Sequence, residues 1–348
     1  MAATREQKRV YVESRLTEVE DQNRELEETV APLRSILRDA LGRSSFLEVE
    51  TLKEPLTDEP FEPGPLAIPL PRPVLATYLP PPLNWLVRLV PGAKAKHERR
   101  SEEARQRFEA DKAAHAEAEG QRQAKLTEAH AAHEAKVAEN RRRVEGQHAE
   151  VEELKRGLQA RTADAVAAYF TLVLDRSDYP DGFSGSSELT YDPEAKKLVV
   201  EMEFPGFDVV PEVGSFKYVR NKDEIVESPR TAKERRAVYA SVIAQVALRG
   251  LHEIFSADGA LHTIDTVLFN GYVDGIDPGT GQRARPCIVS VQASPDVFAT
   301  FDLRYVDPAA CLRALHGAIS KSPEDLVPVE PVREFNIIDP RFKKKVKT

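Results

Sequence analysis

The run TAKERRAVYASVIAQVALRGLHEIF (231–255) reads as a helix whose Val238, Val242, Ile243, Val246, Leu248, Leu251 and Phe255 make one broad apolar face, as a core helix needs. Upstream, SELTY (187–191) and KLVVEMEF (197–204) read as two strands around a turn at 193–195. Leu198, Val200, Met202 and Phe204 alternate and mark one buried face. SFKYVR (215–220) and EIVES (224–228) read as a second hairpin. Downstream come the strand DTVLFNGYVDG (265–275), a turn at DPGTGQ (277–282), the strand RPCIVSVQA (285–293) and a helix DPAACLRALHGAI (307–319). A helix at 162–175, with Thr162 able to cap it, opens the region. The order αββββαββα, with strands joined mainly by hairpins, predicts an α+β domain over 161–335, an antiparallel sheet with helices packed on one side.

The first half of the chain is of another kind. Residues 1–42 carry a heptad seam of Val12, Leu16, Val19, Asn23, Leu26 and Val30, extended by Leu33 and Leu37, which is the spacing of a coiled coil. An Asn on a seam penalises wrong registers, because only one alignment satisfies its amide. Pro32 has no N–H to give, so the helix is expected to kink or restart there. The seam either pairs two copies of the chain or packs on the long helix of its own chain.

Residues 43–92 form a proline-rich strap, with eleven prolines between 55 and 91, too many for a helix or a central strand. It should run extended, partly as polyproline II. PLPRP (69–73) invites comparison with ligands of SH3-like grooves. The preferred reading is a stiff strap along a helix, anchored by Leu70, Leu75, Leu79 and Trp85. Residues 93–160, rich in Ala, Glu, Lys, Arg and Gln, read as one long coiled-coil helix of roughly 100 Å. Its later seam, Leu126, His130, His133, Val137, Asn140, Val144, Gln147, Val151, Leu154 and Leu158, has four polar members and should pair weakly and selectively. Residues 336–348 are a basic tail.

The chain has 348 residues, 41% hydrophobic and 30% charged, with a net charge of −8. That balance argues against a surface coated in DNA-binding charge and leaves room for local basic patches; Arg141, Arg142 and Arg143 are the candidate nucleic-acid contact, weighed against a solvated helix face. Without an apolar leader or an 18-residue apolar run, a cytoplasmic protein without membrane contact is expected. Cys287 and Cys311 are read as buried free thiols. His130 and His133 share a helix face, but two imidazoles fall short of a metal site. Asp274, Asp277 and Thr280 lack EF-hand spacing, and 279–281 lacks the lysine of a phosphate loop. His252 and His262 have no nucleophile–carboxylate set near them in sequence. No catalytic residue, metal ligand or cofactor is assigned.

Several stretches together resemble one family: LPPPLNWLVRLVPG (79–92), AYFTLVLDRSDYPDGF (168–183), FDVVPEV (207–213), VIAQVALRGLHEIF (242–255), LFNGYVDGIDPGTGQ (268–282), RPCIVSVQA (285–293), VDPAACLRALHGAIS (306–320) and PVEPVREFNIIDPRF (328–342). Over about 79–342 the chain resembles the non-catalytic N-terminal region of actinobacterial Mrr-like restriction endonucleases. The resemblance implies a following PD-(D/E)xK nuclease domain, whose carboxylates hold a divalent ion; residues 1–348 contain no convincing Asp … Glu/Gln-x-Lys set. The expectation is therefore a targeting and oligomerising region of a genome-defence protein, a homo-oligomer working on DNA with a nuclease domain or subunit. The alternative is a coiled-coil adaptor that assembles protein partners without nucleic acid.

Overall fold

A computed structural model describes residues 2–57, 59–84, 91–183 and 185–332. Trp85, the rest of the WLVRLV stretch and the basic tail lie outside the described residues. The chain divides into two units, Met1–Leu52 with Val151–Thr348, and Lys53–Glu150.

The first unit holds α1 (Ala2–Ala40), the last turns of α2 (Ala93–Ala160), α3 (Ala163–Asp175), β1 (Ser187–Asp192), β2 (Lys197–Phe204), β3 (Val213–Val219), β4 (Glu224–Pro229), α4 (Ala232–Asp258) and β5 (Thr266–Val273). β6 (Gly275–Ile276), β7 (Arg283–Ala284), β8 (Cys287–Ala293), α5 (Pro295–Phe298), α6 (Pro308–Ala314) and β9 (Ala318–Ile319) complete it. The fold is α+β. Its five-stranded sheet runs β1-β2-β5-β8-β9, while β3–β4 and β6–β7 are separate two-stranded ladders.

The expected all-antiparallel sheet is corrected at one pair: β2 and β5 are parallel, in register from Lys197↔Thr266 to Phe204↔Val273. The reason is α4. A helix between two neighbouring strands carries the chain back to its starting edge, so the second strand runs the same way as the first. The last expected helix is also shorter. It ends at Ala314, where the N–H of Gly317 bonds Leu312 O at 2.8 Å, and residues 318–319 join the sheet edge.

β2 buries every second side chain, as its alternation requires. Leu198, Val200, Met202 and Phe204 join Val267 and Phe269 of β5, Val289 and Val291 of β8, Phe170 of α3 and Val242, Ile243 and Val246 of α4 in one core. Packing there is close: a Cβ on Gly250 would sit 2.6 Å from the Phe269 ring, and one on Gly271 2.6 Å from that of Phe204.

Within its own chain α1 does not pack mainly on the long helix. Its partners are α4 and the β3–β4 hairpin of the same unit. Val30, Leu33, Ile36, Leu37 and Ala40 are buried, Val12, Val19 and Leu26 are half-buried, and Leu16 is exposed. Asn23 bonds the hairpin with both ends of its amide: Nδ2 donates to Phe216 O at 3.0 Å, and Phe216 N donates to Oδ1 at 2.8 Å. Within the chain it finishes the strand edge at Phe216. Tyr11 and Tyr218 both donate to Asp223, at 3.0 and 2.7 Å, and Arg15 lies over the Tyr218 ring. The helix also runs through Pro32 without restarting. Just beyond it, the Gln245 amide is spliced into the helical ladder, donating to Leu33 O at 3.1 Å and accepting from Leu37 N at 3.3 Å. Those two backbone groups would otherwise pair with each other.

In the second unit the strap lies beside α2. The seam positions that read as polar misfits in a helix pair serve this extended chain: Gln147 accepts from Glu54 N at 3.2 Å, and Asn140 donates to Thr57 O at 3.4 Å. The rings of His130 and His133 flank Phe61 at 4.9 and 5.4 Å. An extended segment without strand neighbours has unpaired backbone groups, and α2 meets some of them with Gln147, Asn140 and His148, whose Nε2 lies 2.8 Å from Glu54 O. Two supposed apolar anchors are corrected: Leu70 is 38% and Leu79 37% exposed. The strap is attached mainly by polar groups.

Candidate ligand cleft at the head of the crossover helix

The parallel pair β2/β5 with its crossover α4 brings the α4 N-terminus to the carboxyl ends of two strands, the edge at which open α/β sheets commonly bind ligands. α4 starts cleanly because Thr231 and Glu234 form a capping box, with Glu234 N donating to Thr231 Oγ1 and Thr231 N to Glu234 Oε2, both at 3.2 Å. Donation from Thr231 Oγ1 at 2.9 Å, and then from Thr231 N, holds the Glu234 carboxyl below its usual pKa. A cavity of about 330 Å³ opens there, lined by Phe207, Glu212, Arg230, Arg235, Arg236 and Glu324 among others.

The three arginines differ in freedom. Arg235 lies 4.2 Å over the Phe207 ring, donates to Val210 O at 2.9 Å, and pairs with Glu212 at 2.8 Å. Arg236 pairs with Glu324 at 3.1 Å, whose side chain is 9% exposed. Arg230 has a buried Nε without a hydrogen-bond partner. Its backbone is fixed by a bond to Glu212 O at 2.7 Å and by Gly214, where a Cβ would stand 3.1 Å from it. The arrangement suits an acceptor-rich group, a phosphate or carboxylate, that competes with Glu212 for Arg235 and with Glu324 for Arg236.

A second polar group lies inside the same unit. Gln245, Arg249 and Glu253 recur every fourth residue on α4, and all are buried. Arg249 donates to Glu253 at 2.8 Å and to Ile36 O at 3.4 Å, and lies 4.3 Å over the Tyr179 ring. Ser177 donates to Glu253 at 2.7 Å. Glu253 Oε2 and the Tyr179 hydroxyl are buried without partners, and burial pushes the Tyr179 phenol well above its usual range. A cavity of about 220 Å³ adjoins Arg249, Tyr179, Asp39 and Arg43. These groups fasten α1 and residues 177–179 to α4.

None of the residues singled out in sequence lines the cleft. Arg141, Arg142 and Arg143 are exposed on α2, and Arg143 is turned onto the strap, 2.7 Å from Glu54. His130 meets Glu134 one turn on, at 3.4 Å. Asp277 organises its own turn, accepting from Gly279 N at 2.8 Å and Thr280 Oγ1 at 2.9 Å, while Asp274 pairs with Arg283. Burial lowers the His252 pKa. Cys287 and Cys311 are free and buried, their thiols pushed up to about 11 by desolvation. Among the described residues no cluster of three His, Cys, Asp or Glu could hold a metal, and no helix is long and apolar enough to cross a membrane.

Sequence reading missed Arg230, Arg235 and Arg236 because they precede or open a helix, where charge is ordinary. It missed Gln245, Arg249 and Glu253 although their four-residue spacing within an apolar run was a usable signal. No protein-family model matches the chain, and no curated protein and no solved structure is significantly similar to it.

Proposed function

We propose that the chain is a targeting region of a restriction-type genome-defence protein, acting with a nuclease domain or subunit and supplying no strand-cleaving chemistry itself. The first unit recognises DNA through phosphate oxygens. The observation that carries this reading is the cleft at the head of α4, which Arg230, Arg235 and Arg236 line together beside Glu212, Glu324 and Asp325. Phosphates displace Glu212 and Glu324 from their arginines. The resemblance over residues 79–342 supports the same class of function.

The test is a duplex-DNA gel shift at several salt concentrations. Affinity should fall steeply between 50 and 200 mM salt, by orders of magnitude if several phosphates are neutralised. Arg230→Ala and Arg236→Ala should each reduce the log–log salt slope by about 1. No shift at the lowest salt would remove DNA from the reading and favour an adaptor of protein partners.

A further inference from the structure

We propose that residues 321–328 are a lid on the cleft at the head of α4, with the Glu324 carboxylate standing where an anion would bind, and that a phosphate takes Arg236 only as the lid lifts. The proposal rests on the phosphate reading of that cleft and adds its regulation. Glu324 and Asp325 line the cleft. They sit on a compact loop whose ends are drawn together. Ser320 N donates to Ile288 O and Val329 N to Cys287 O, both at 2.8 Å, so the two ends are tied to neighbouring residues of β8. Between those ties, among the described residues, the backbone bonds run within the loop. Asp325 N donates to Ser322 O at 3.1 Å, Leu326 N to Pro323 O and Val327 N to Ser322 O at 3.2 Å, and Ser320 Oγ to Val327 O at 2.6 Å. The loop is therefore able to move as one piece about Ser320 and Val329.

The two carboxylates that hold the arginines of the cleft are not equivalent. The Glu212 side chain is 81% exposed, so it turns into water once a phosphate takes Arg235. The Glu324 side chain is 9% exposed, while that of its partner Arg236 is 58% exposed. A phosphate reaching Arg236 from solvent would leave Glu324 as a buried carboxylate without its cation, which is strongly unfavourable. Pro323, buried directly before it, fixes the start of its turn. The carboxylate reaches water when the loop that carries it moves.

Little else holds the lid down. Pro323 is buried, and Leu326 lies so close to Gly275 that a Cβ there would stand 3.0 Å from its Cδ1. Against these contacts, Leu326 has φ 56° and ψ 29°, the left-handed region in which Cβ crowds the carbonyl oxygen. Lifting relieves that strain. A loop held by two apolar contacts and one ion pair, and working against its own backbone, belongs to the parts of a fold that open locally.

The test is amide hydrogen exchange on the full chain, free and with duplex DNA. In the free protein, Arg236→Ala strands Glu324, so the Asp325, Leu326 and Val327 amides should exchange about tenfold faster or more. The Ser320 and Val329 amides should stay as they are. Arg236→Ala combined with Glu324→Gln leaves no stranded charge and should return the three loop amides towards the wild-type rate. No acceleration in Arg236→Ala, or acceleration that the second substitution does not reverse, overturns the lid. Saturating DNA should speed the same three amides of the wild-type chain. Bound DNA that leaves them unchanged overturns the lid and spares the DNA reading. Failure of DNA to bind removes that reading and the phosphate as the lid's ligand, whatever the variants show.

Discussion

Asn23 and Glu119 show how single polar side chains manage backbone that secondary structure leaves unpaired. The Asn23 amide offers one donor and one acceptor at the spacing of a peptide group, so it substitutes for a residue of a neighbouring strand at Phe216. Glu119 does the corresponding work on the strap. Its carboxyl is held down at about 2, from an ordinary 4.5, first by the Arg122 guanidinium and then by Leu70 N–H. A folded-state value below the unfolded one means the contact stabilises at any pH above about 4.5 and is lost as the pH falls through about 2. In an NMR titration the Leu70 amide should therefore shift with a midpoint near 2. A midpoint near 4.5 would show that Glu119 does not hold the strap. Neither role was legible in sequence: the residue types were visible, but their partners lie 193 residues away for Asn23 and 49 for Glu119.

At the scale of elements, α4 is both the core helix and the post to which α1 is tied. Its apolar face came directly from the spacing of Val242, Ile243, Val246 and Leu251, all at most 1% exposed. Its polar stripe did not, because periodicity records where apolar residues fall and says nothing of which polar ones are buried with them. Arg249 and Glu253 have side chains 4% and 8% exposed. Removing one partner strands the other charge, so Arg249→Met should cost about 3–5 kcal/mol, whereas Arg249→Met with Glu253→Leu should come near neutral. Denaturant midpoints of the two single variants and the double variant would measure this. Equal losses in Arg249→Met and the double variant would mean the stripe acts through something other than charge pairing. α1 and α2 carry seams of the kind that coiled coils use, yet one meets a hairpin and a helix and the other an extended strap. A seam specifies a stripe to be covered; it does not specify the cover.

For the molecule as a whole, two units are built from three stretches of chain, since residues 1–52 join 151–348 while 53–150 stand as their own unit. The divisions expected from composition at residues 42, 92 and 160 lie at or within two residues of the ends of α1 and α2. The targeting reading has a consequence at this scale: supercoiled plasmid incubated with the chain and Mg²⁺ should stay intact. Cleavage that co-purifies with the protein and scales with its concentration would place the chemistry in this chain and end that reading.

By itself the sequence determined what is local. Alternation in β2, the apolar face of α4, the long helix and the extended strap each follow from spacing, propensity or proline geometry, which act within a few residues. Tertiary structure alone decided the parallel pairing of β2 with β5, the insertion of Gln245 into α1, and the gathering of Arg230, Arg235 and Arg236. Those depend on satisfying buried or unpaired polar groups across long separations, and a linear pattern shows that such groups exist without showing which of them will meet.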